Sequence, residues 1–213
     1  RNLKNRCVIG QTLNPVDPRS IGQRRDRPRR ARGLHSRDHP PPPGSNMASI
    51  LTRELLRFIR TRYQLDWHGI HGVSHWARVR ARGLALSRET GASPDVVTLF
   101  AFLHDCARLD DHRDLGHGER AAALIPRLNG RYFLLPAAEE ALLIEAIAGH
   151  TVQRWHANPT IATCWDADRL DLIRLGIRPD PARLCTEAGK RRAVALSGPL
   201  NDDWFSKRLK RCR

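Results

Sequence analysis

Apolar residues recur at three- and four-residue spacings through most of the chain beyond Met47, which is the period of a helix with one buried face. No stretch alternates polar and apolar residues for long enough to predict a β-strand. The pattern therefore predicts an all-α fold. The predicted helices span residues 50–63, 73–89, 94–105, 117–128, 136–150, 159–175 and 181–189.

The second predicted helix has a polar residue on its apolar face. His75 shares one stripe with Val79, Gly83 and Leu86. Because an amphipathic helix turns its apolar stripe toward the core, the imidazole of His75 should point inward. A single inward histidine is more often a hydrogen-bonded core residue than a ligand, so His75 alone predicts no site.

The third predicted helix starts with strong sequence signals and ends in two polar residues. Ser93 can cap the helix, Pro94 suits its first turn and Asp95 favours its positive end. At the other end, His104 and Asp105 emerge from an otherwise apolar segment. A buried carboxylate is destabilising unless it is paired, hydrogen-bonded or bound to a metal. We therefore expect a cation beside Asp105.

Asp168 poses the same problem in the sixth predicted helix. It lies on the inward stripe of that helix, so its carboxylate again needs a cation nearby. Asp166 and Asp171 fall off the stripe and are expected to be solvated or in salt bridges. The stripe consists of Ile161, Trp165, Asp168, Leu172 and Leu175.

The positive charge of the chain is concentrated near its start. Of the formal net charge of +15, residues 1–46 contribute +8, from 11 Lys or Arg and three Asp. This segment contains four consecutive prolines and no helical or strand period, so it is predicted to be a disordered basic extension. Since the one methionine, Met47, precedes the first predicted helix, we expect translation to start there and residues 1–46 to be upstream sequence. The alternative is a basic arm that binds nucleic acid or acidic lipid.

The rest of the chain is predicted to be one helical domain, residues 47–197, followed by a basic, solvated tail, residues 198–213. Five scattered cysteines form no C-x-x-C pair, which favours a reducing, cytoplasmic compartment. No apolar run approaches the roughly 20 residues of a membrane helix, so no membrane association is expected. Cys106 and Cys164 have apolar neighbours and are expected to be buried core residues.

An ordered set of histidines and aspartates carries a family resemblance. It consists of His75 with Trp76 and Val79 after it, the doublet His104-Asp105, and Asp168 with Arg169 and Leu170 after it. With this set, residues 70–175 resemble the HD-domain superfamily of metal-dependent phosphohydrolases. The resemblance implies a compact multi-helix bundle in which His75, His104, Asp105 and Asp168 bind a divalent metal ion. Mixed imidazole and carboxylate ligation suits Mn, Fe, Co, Ni or Zn better than Ca.

The resemblance also implies two catalytic residues beside the metal. Asp105 is expected both to bind the metal and to accept a proton from the attacking water. Arg108 lies one helical turn after His104 and is expected to meet the negative charge of the phosphate. The alternative role for Arg108 is a surface salt bridge with Asp110 or Asp111.

Two further histidines are candidates for a second metal or for substrate contact. His117 is predicted to start a helix and His150 to end one. Their alternative roles are a loop residue for His117 and a cap of the negative helix end for His150. Since each has such an ordinary alternative, we expect a single, tightly held ion.

The sequence thus predicts a phosphomonoesterase or phosphodiesterase acting on a small phosphorylated substrate, a nucleotide or related metabolite. One alternative is the di-iron oxygenase branch of the same fold, in which two irons activate oxygen. Another is a non-catalytic basic module that binds nucleic acid through its termini, which the charge distribution favours less. The oligomeric state is not predicted by any feature of the sequence.

Overall fold

The protein structure is a computed structural model that describes residues 49–197. These residues form eight α-helices and two 3-10 helices and contain no β-strand, so the predicted all-α class is confirmed. The predicted disordered extension, the predicted start at Met47 and the predicted basic tail lie outside the described residues. The α-helices are α1 (Arg53–Arg62), α2 (Val73–Thr90), α3 (Pro94–Leu103), α4 (His117–Ala122), α5 (Ile125–Leu128), α6 (Ala137–Gly149), α7 (Pro159–Leu170) and α8 (Glu187–Leu196).

The ends of the first three helices are set by local hydrogen bonds. The hydroxyl of Thr52 accepts a hydrogen bond from the N–H of Leu55 at 3.1 Å, so α1 begins later than the predicted Ile50. Ser93 caps α3 as predicted, because its side chain accepts from the first turn. α2 ends at Gly91, whose φ of 72° is easily adopted only without a side chain.

The fourth predicted helix is two short helices, α4 and α5. Pro126, in the first turn of α5, has no backbone N–H with which to continue the hydrogen-bond ladder of α4. The chain therefore turns at Ala123 and restarts at Ile125. This break gives α4 its own direction, and His117 is its first residue.

The last two predicted helices also differ from the structure. The sixth keeps α-helical geometry only to Leu170 and continues as a tighter 3-10 helix, Asp171–Leu175. The prediction of a helix over residues 181–189 is wrong, because Pro181–Arg183 form only a 3-10 turn. α8 starts at Glu187, where the side chain of Thr186 caps it.

The core lies where α2 packs against α3 and α7, with α6 completing the group. The indoles of Trp76 and Trp165 are fully buried, and Trp165 Nε1 donates to the carbonyl of Ala146 at 2.8 Å, which joins α7 to α6. Cys106 and Cys164 are buried as predicted, and burial raises the pKa of the Cys106 thiol to about 12. Within residues 49–197, no helix combines the length and the apolar character needed to cross a membrane.

The close packing of these helices brings several of their ends to one place. α2 and α3 approach so closely that a Cβ on Gly83 would lie 2.5 Å from Val97 Cγ1. The polar residues at these ends are His75 in the first turn of α2, His104 and Asp105 directly after α3, His117 at the start of α4, His150 directly after α6, and Asp168 in the last turn of α7.

Candidate metal centre

A first group of three buried side chains joins α2 to the end of α3. His75 Nε2 lies 3.2 Å from His104 Nε2 and 3.7 Å from Asp105 Oδ2. His104 Nε2 in turn lies 3.5 Å from the same carboxylate oxygen. The three ligand atoms therefore converge on one point, and the group can hold a metal ion.

Asp168 adds a fourth ligand atom to this group from α7. Its Oδ1 lies 3.3 Å from His75 Nε2 and 3.7 Å from His104 Nε2. Its side chain is 23% exposed, whereas the other three are almost completely buried. The structure thus brings together all four ligands predicted from the sequence, with Asp168 on the open side.

The two imidazoles of this group are oriented by their other ring nitrogens. His75 Nδ1 faces Asp171 Oδ2 at 2.8 Å, and His104 Nδ1 faces the carbonyl of Phe100 at 3.1 Å. Both partners only accept hydrogen bonds, so each Nδ1 carries a proton, and a ring without a second proton presents a lone pair at Nε2. Burial lowers the pKa of His104 to about 4, which keeps that ring neutral. Two such lone pairs facing each other are stabilised by a cation between them.

The spacing of the ligand atoms also fits a metal ion. Imidazole nitrogens and carboxylate oxygens bind such ions at about 2.0–2.2 Å, so two neighbouring ligands of one ion stand about 2.8–3.6 Å apart. The five separations that join His75 and His104 to each other and to the carboxylates of Asp105 and Asp168, 3.2–3.7 Å, lie within this range or just above it. The first group therefore needs little rearrangement to bind an ion.

A second group repeats this arrangement on the other side of Asp105. His117 Nε2 lies 3.0 Å from Asp105 Oδ1 and 2.9 Å from His150 Nε2, and His150 Nε2 lies 3.9 Å from the same oxygen. The Nδ1 of His150 faces the carbonyl of Ile147 at 2.7 Å, and that of His117 faces the carbonyl of Asp114. Again two Nε2 atoms face each other beside a carboxylate, and this group too can hold a metal ion.

A cavity of about 660 Å³ opens beside the two groups. Asp105, Asp168 and His150 form part of its wall. The cavity is large enough for a small metabolite, since ligand pockets typically measure about 300–1,000 Å³. Its remaining polar wall is rich in guanidinium groups, those of Arg108, Arg154, Arg169, Arg174 and Arg183.

Comparison with solved structures identifies the fold. A crystal structure at 1.45 Å resolution of a predicted HD superfamily hydrolase from an uncultured Thermotogales bacterium superposes with a TM-score of 0.55. The two chains are 21% identical, and the match covers 75% of this chain and 89% of the other. The chain has the HD-superfamily fold. No family model and no curated protein matches its sequence.

Arg108 lies between the two groups. One terminal nitrogen of Arg108, Nη1, lies 3.3 Å from Asp105 Oδ1 and 3.4 Å from His117 Nε2. Arg108 Nε donates to the backbone carbonyl of Asp110, and Asp111 pairs instead with His71. The alternative of a surface salt bridge is therefore wrong, and Arg108 lies within the centre.

Asp171 is a residue of the centre that the sequence analysis missed. It was expected to be solvated or in a salt bridge, and it is fully buried and ion-paired behind His75. Its carboxylate accepts hydrogen bonds from His75 Nδ1 and from Arg78 Nε at 2.9 Å, with Arg82 Nε at 3.4 Å. Burial would raise the pKa of Asp171, but the bonds from His75 and Arg78 hold it below its usual value. Asp171 therefore remains an anion that fixes the orientation of His75. Arg78 and Arg82, three and seven residues after His75 on the same helix, are the sequence signal for it.

The prediction that Asp166 is solvated or in a salt bridge is wrong. Asp166 is fully buried, and its carboxylate accepts hydrogen bonds from backbone and hydroxyl groups; within residues 49–197 it forms no salt bridge. The donors are the backbone N–H of Cys185 at 2.7 Å, and the backbone N–H and hydroxyl of Thr186 at 2.8 and 2.7 Å. α8 and the segment before it cover this face of α7. Asp166 thus anchors that segment and lies apart from both ligand groups.

Proposed function

We propose that this protein is a metal-dependent phosphohydrolase that cleaves a phosphate ester of a nucleotide or a related small phosphorylated metabolite. The observation that carries this proposal is the pairing of Nε2 atoms on both sides of Asp105, at 3.2 Å in the first group and 2.9 Å in the second. The two groups combine four imidazoles with Asp105, Asp168 lies beside the first group, and Asp105, Asp168 and His150 line the cavity.

The donor set suits transition metals, and the two groups together favour two ions. Mixed nitrogen and oxygen ligation is typical of Mn, Fe, Co, Ni or Zn sites, whereas Ca takes oxygen ligands alone. Asp105 faces the first group with Oδ2 and the second with Oδ1, so it is placed to bridge two ions. We therefore replace the single ion expected from the sequence by a pair.

Within this proposal, each residue of the centre has a separate task. Bound metal ions supply Lewis acidity, which activates water and polarises a phosphoryl oxygen. Both oxygens of Asp105 face ligand groups, so Asp105 would hold ions, and we keep it as the expected acceptor of the proton of the attacking water. Arg108 and Arg174 line the cavity and place guanidinium groups where a phosphate would lie. Arg174 is held there by its bond to the carbonyl of Ile70, 2.9 Å long.

The guanidinium groups are the reason to prefer phosphate chemistry over oxygen activation. A di-iron oxygenase of the HD fold would use the same ligand set, so the ligands do not separate the two functions. An anionic substrate gains from several arginines in a partly enclosed cavity, because charge-assisted hydrogen bonds are stronger there than in water. The nucleic-acid alternative depends on the basic termini, which lie outside the described residues.

The test is a panel of phosphate esters assayed with each metal in turn. The purified chain is stripped with a chelator and reloaded with Mn, Fe, Co, Ni, Zn or Mg. Ester cleavage is followed as phosphate release from nucleoside monophosphates and as formation of a monoester from phosphodiesters. We expect cleavage with at least one transition metal, loss of cleavage on chelation and recovery on reloading. Oxygen consumption by the iron-loaded protein, with no ester cleavage under any metal, would establish the oxygenase instead.

The number of ions is tested by two alanine variants. His150→Ala should lower the metal content from about two ions per chain to about one, because the second group loses a ligand while the first stays intact. His104→Ala should remove the first ion and weaken the second, because Asp105 loses the ion that orients it. Metal analysis of the dialysed proteins measures both effects. His112→Ala, in an exposed loop, is the matched control and should keep two ions. A wild-type chain with one ion, unchanged in His150→Ala, would restore the single-ion expectation.

A further inference from the structure

We propose that Trp155 is the platform on which a planar ring of the substrate stacks while the phosphate ester lies at the metal centre. The inference relies on the proposed function for the position of the phosphate, and it adds what the rest of the substrate must be. A substrate of this class carries a flat aromatic group, such as a nucleobase, at a short distance from its phosphate.

Trp155 is unusual among the tryptophans of this fold. Trp76 and Trp165 are completely buried, whereas Trp155 is 64% exposed. Tryptophan has the largest apolar surface of any side chain, and leaving it in water forgoes the free energy that burial would give. An exposed indole at the mouth of a cavity is therefore a surface that a ligand can cover.

The backbone beneath Trp155 is held in place, although the indole itself is not packed. The loop between α6 and α7 is crossed by Arg169, which donates to the carbonyls of Gln153 at 2.5 Å and Arg154 at 2.9 Å. The same guanidinium donates to the carbonyl of Arg183 at 2.9 Å, and so joins the loop to the segment that contains Arg183, which also lines the cavity. A fixed backbone with an exposed ring is preorganised for stacking, because little entropy is lost when a ligand binds.

The platform and the metal centre belong to one cavity. Trp155 lines the same 660 Å³ space as Asp105, Asp168 and His150, and the loop that carries it starts directly after His150. Val152 adds a second exposed apolar surface to this wall. One molecule can therefore place an anionic ester at the ligand groups and a flat apolar ring against the indole.

The guanidinium groups around Trp155 suit the same kind of substrate. Arg154, its neighbour in the chain, is exposed and lines the cavity, and Arg183 lines it as well. Arginine stacks on aromatic rings and attracts anions, so these residues favour a ring-bearing molecule with negative charge over a neutral apolar ligand.

The experiment compares substrates that differ only in the ring. The metal-loaded wild type, Trp155→Ala and Trp155→Phe are assayed with adenosine and uridine 5′-monophosphates and with ribose 5-phosphate, which lacks the base. Because stacking of a base on an aromatic side chain is tolerant of base identity, Trp155→Ala should lower kcat/KM for both nucleotides by about 10- to 100-fold. It should leave kcat/KM for ribose 5-phosphate unchanged, and Trp155→Phe should retain most of the nucleotide activity.

Binding of adenosine, measured by equilibrium dialysis, separates this inference from the proposed function. Adenosine has no phosphate to lose, so its binding does not depend on hydrolysis, and Trp155→Ala should weaken it by a similar factor. Leu134→Ala removes another exposed apolar side chain, 77% exposed and outside the cavity, and should change nothing. If no ester is cleaved and adenosine still binds through Trp155, the proposed function fails and the platform stands. If Trp155→Ala affects nucleotides and ribose 5-phosphate equally, or leaves adenosine binding unchanged, the platform is overturned.

Discussion

Asp105→Asn should remove most of the bound metal and lower kcat/KM by more than about 100-fold, the upper end of the loss seen when only a residue behind a metal ligand is changed. The effect is expected to be large because Asp105 takes part in both ligand groups, with Oδ2 3.5 Å from His104 Nε2 and Oδ1 3.0 Å from His117 Nε2. An amide has one oxygen and no charge, so it cannot bridge two cations. Metal analysis and phosphate release measure the two losses.

The matched control for this variant is Asp95→Asn, at the other end of α3. Asp95 lies in the first turn of the helix and belongs to neither ligand group, so its replacement should leave metal content and turnover unchanged. At most, the favourable interaction with the helix dipole is lost, which is worth about 0.3–1 kcal/mol of stability. Full metal content in Asp105→Asn would contradict the bridging role assigned to Asp105.

The first ligand group was predictable because each of its residues interrupts an apolar pattern. His75 lies on the buried stripe of α2, and His104 and Asp105 end a helix whose other positions are almost all core. A polar residue at a position that periodicity assigns to the core has a free-energy cost, and a metal site offsets that cost. The helical periodicity of α2 and α3 is clear in the sequence, and it was sufficient to predict that these three side chains point inward.

The second ligand group was harder to predict because its members have ordinary roles in their own helices. His150 follows α6 and its Nδ1 hydrogen-bonds the carbonyl of Ile147, as a helix-capping histidine would. His117 starts α4, and the break between α4 and α5, which gives α4 its own direction, was not predicted. Only the packing of α4 against α6 brings the two Nε2 atoms together beside Asp105. This tertiary contact cannot be predicted from local periodicity or from helix-capping patterns.

Helix geometry explains why the prediction for Asp166 is wrong and why the burial of Asp171, which is in salt bridges as predicted, was missed. α7 is enclosed on nearly every side, so the residues off its apolar stripe are buried as well. After Leu170 the chain winds with about three residues per turn in place of 3.6, which shifts the faces of all later positions. For this reason Leu175, placed on the inward stripe by the sequence pattern, is 41% exposed.

α8 was missed because its sequence gives misleading signals. Gly189 was taken as the end of a helix, and it lies inside one. A Cβ at this position would lie 2.3 Å from Asp166 Oδ2, so the glycine is required by the close approach of α8 to α7. The consecutive charges Lys190, Arg191 and Arg192 further weaken the apolar pattern. The need for glycine at position 189 is therefore visible only when the contact between α7 and α8 is known.

The contrast between Asp166 and Asp168 gives a matched pair of substitutions two residues apart on one helix. Asp168→Asn should fold with near wild-type stability, because the side chain is partly exposed, but it should lose metal and activity, because Asp168 Oδ1 faces His75 and His104. Asp166→Asn should keep its metal and its kcat, because the carboxylate of Asp166 faces Cys185 and Thr186 instead. Its free energy of unfolding should fall by about 1–3 kcal/mol, since an amide cannot accept from all three donors of Cys185 and Thr186 and leaves buried polar groups unsatisfied.

Denaturant unfolding and metal analysis on the same two variants decide this prediction. Asp166→Asn should unfold at a lower denaturant concentration with the wild-type slope, since only stability changes. Asp168→Asn should show the reverse combination, with a metal content well below that of wild type. If Asp166→Asn loses its metal while folded and Asp168→Asn retains it, the ligand on α7 is Asp166. The helical phase that directs Asp168 toward His75 would then be wrong, and with it the first ligand group as described.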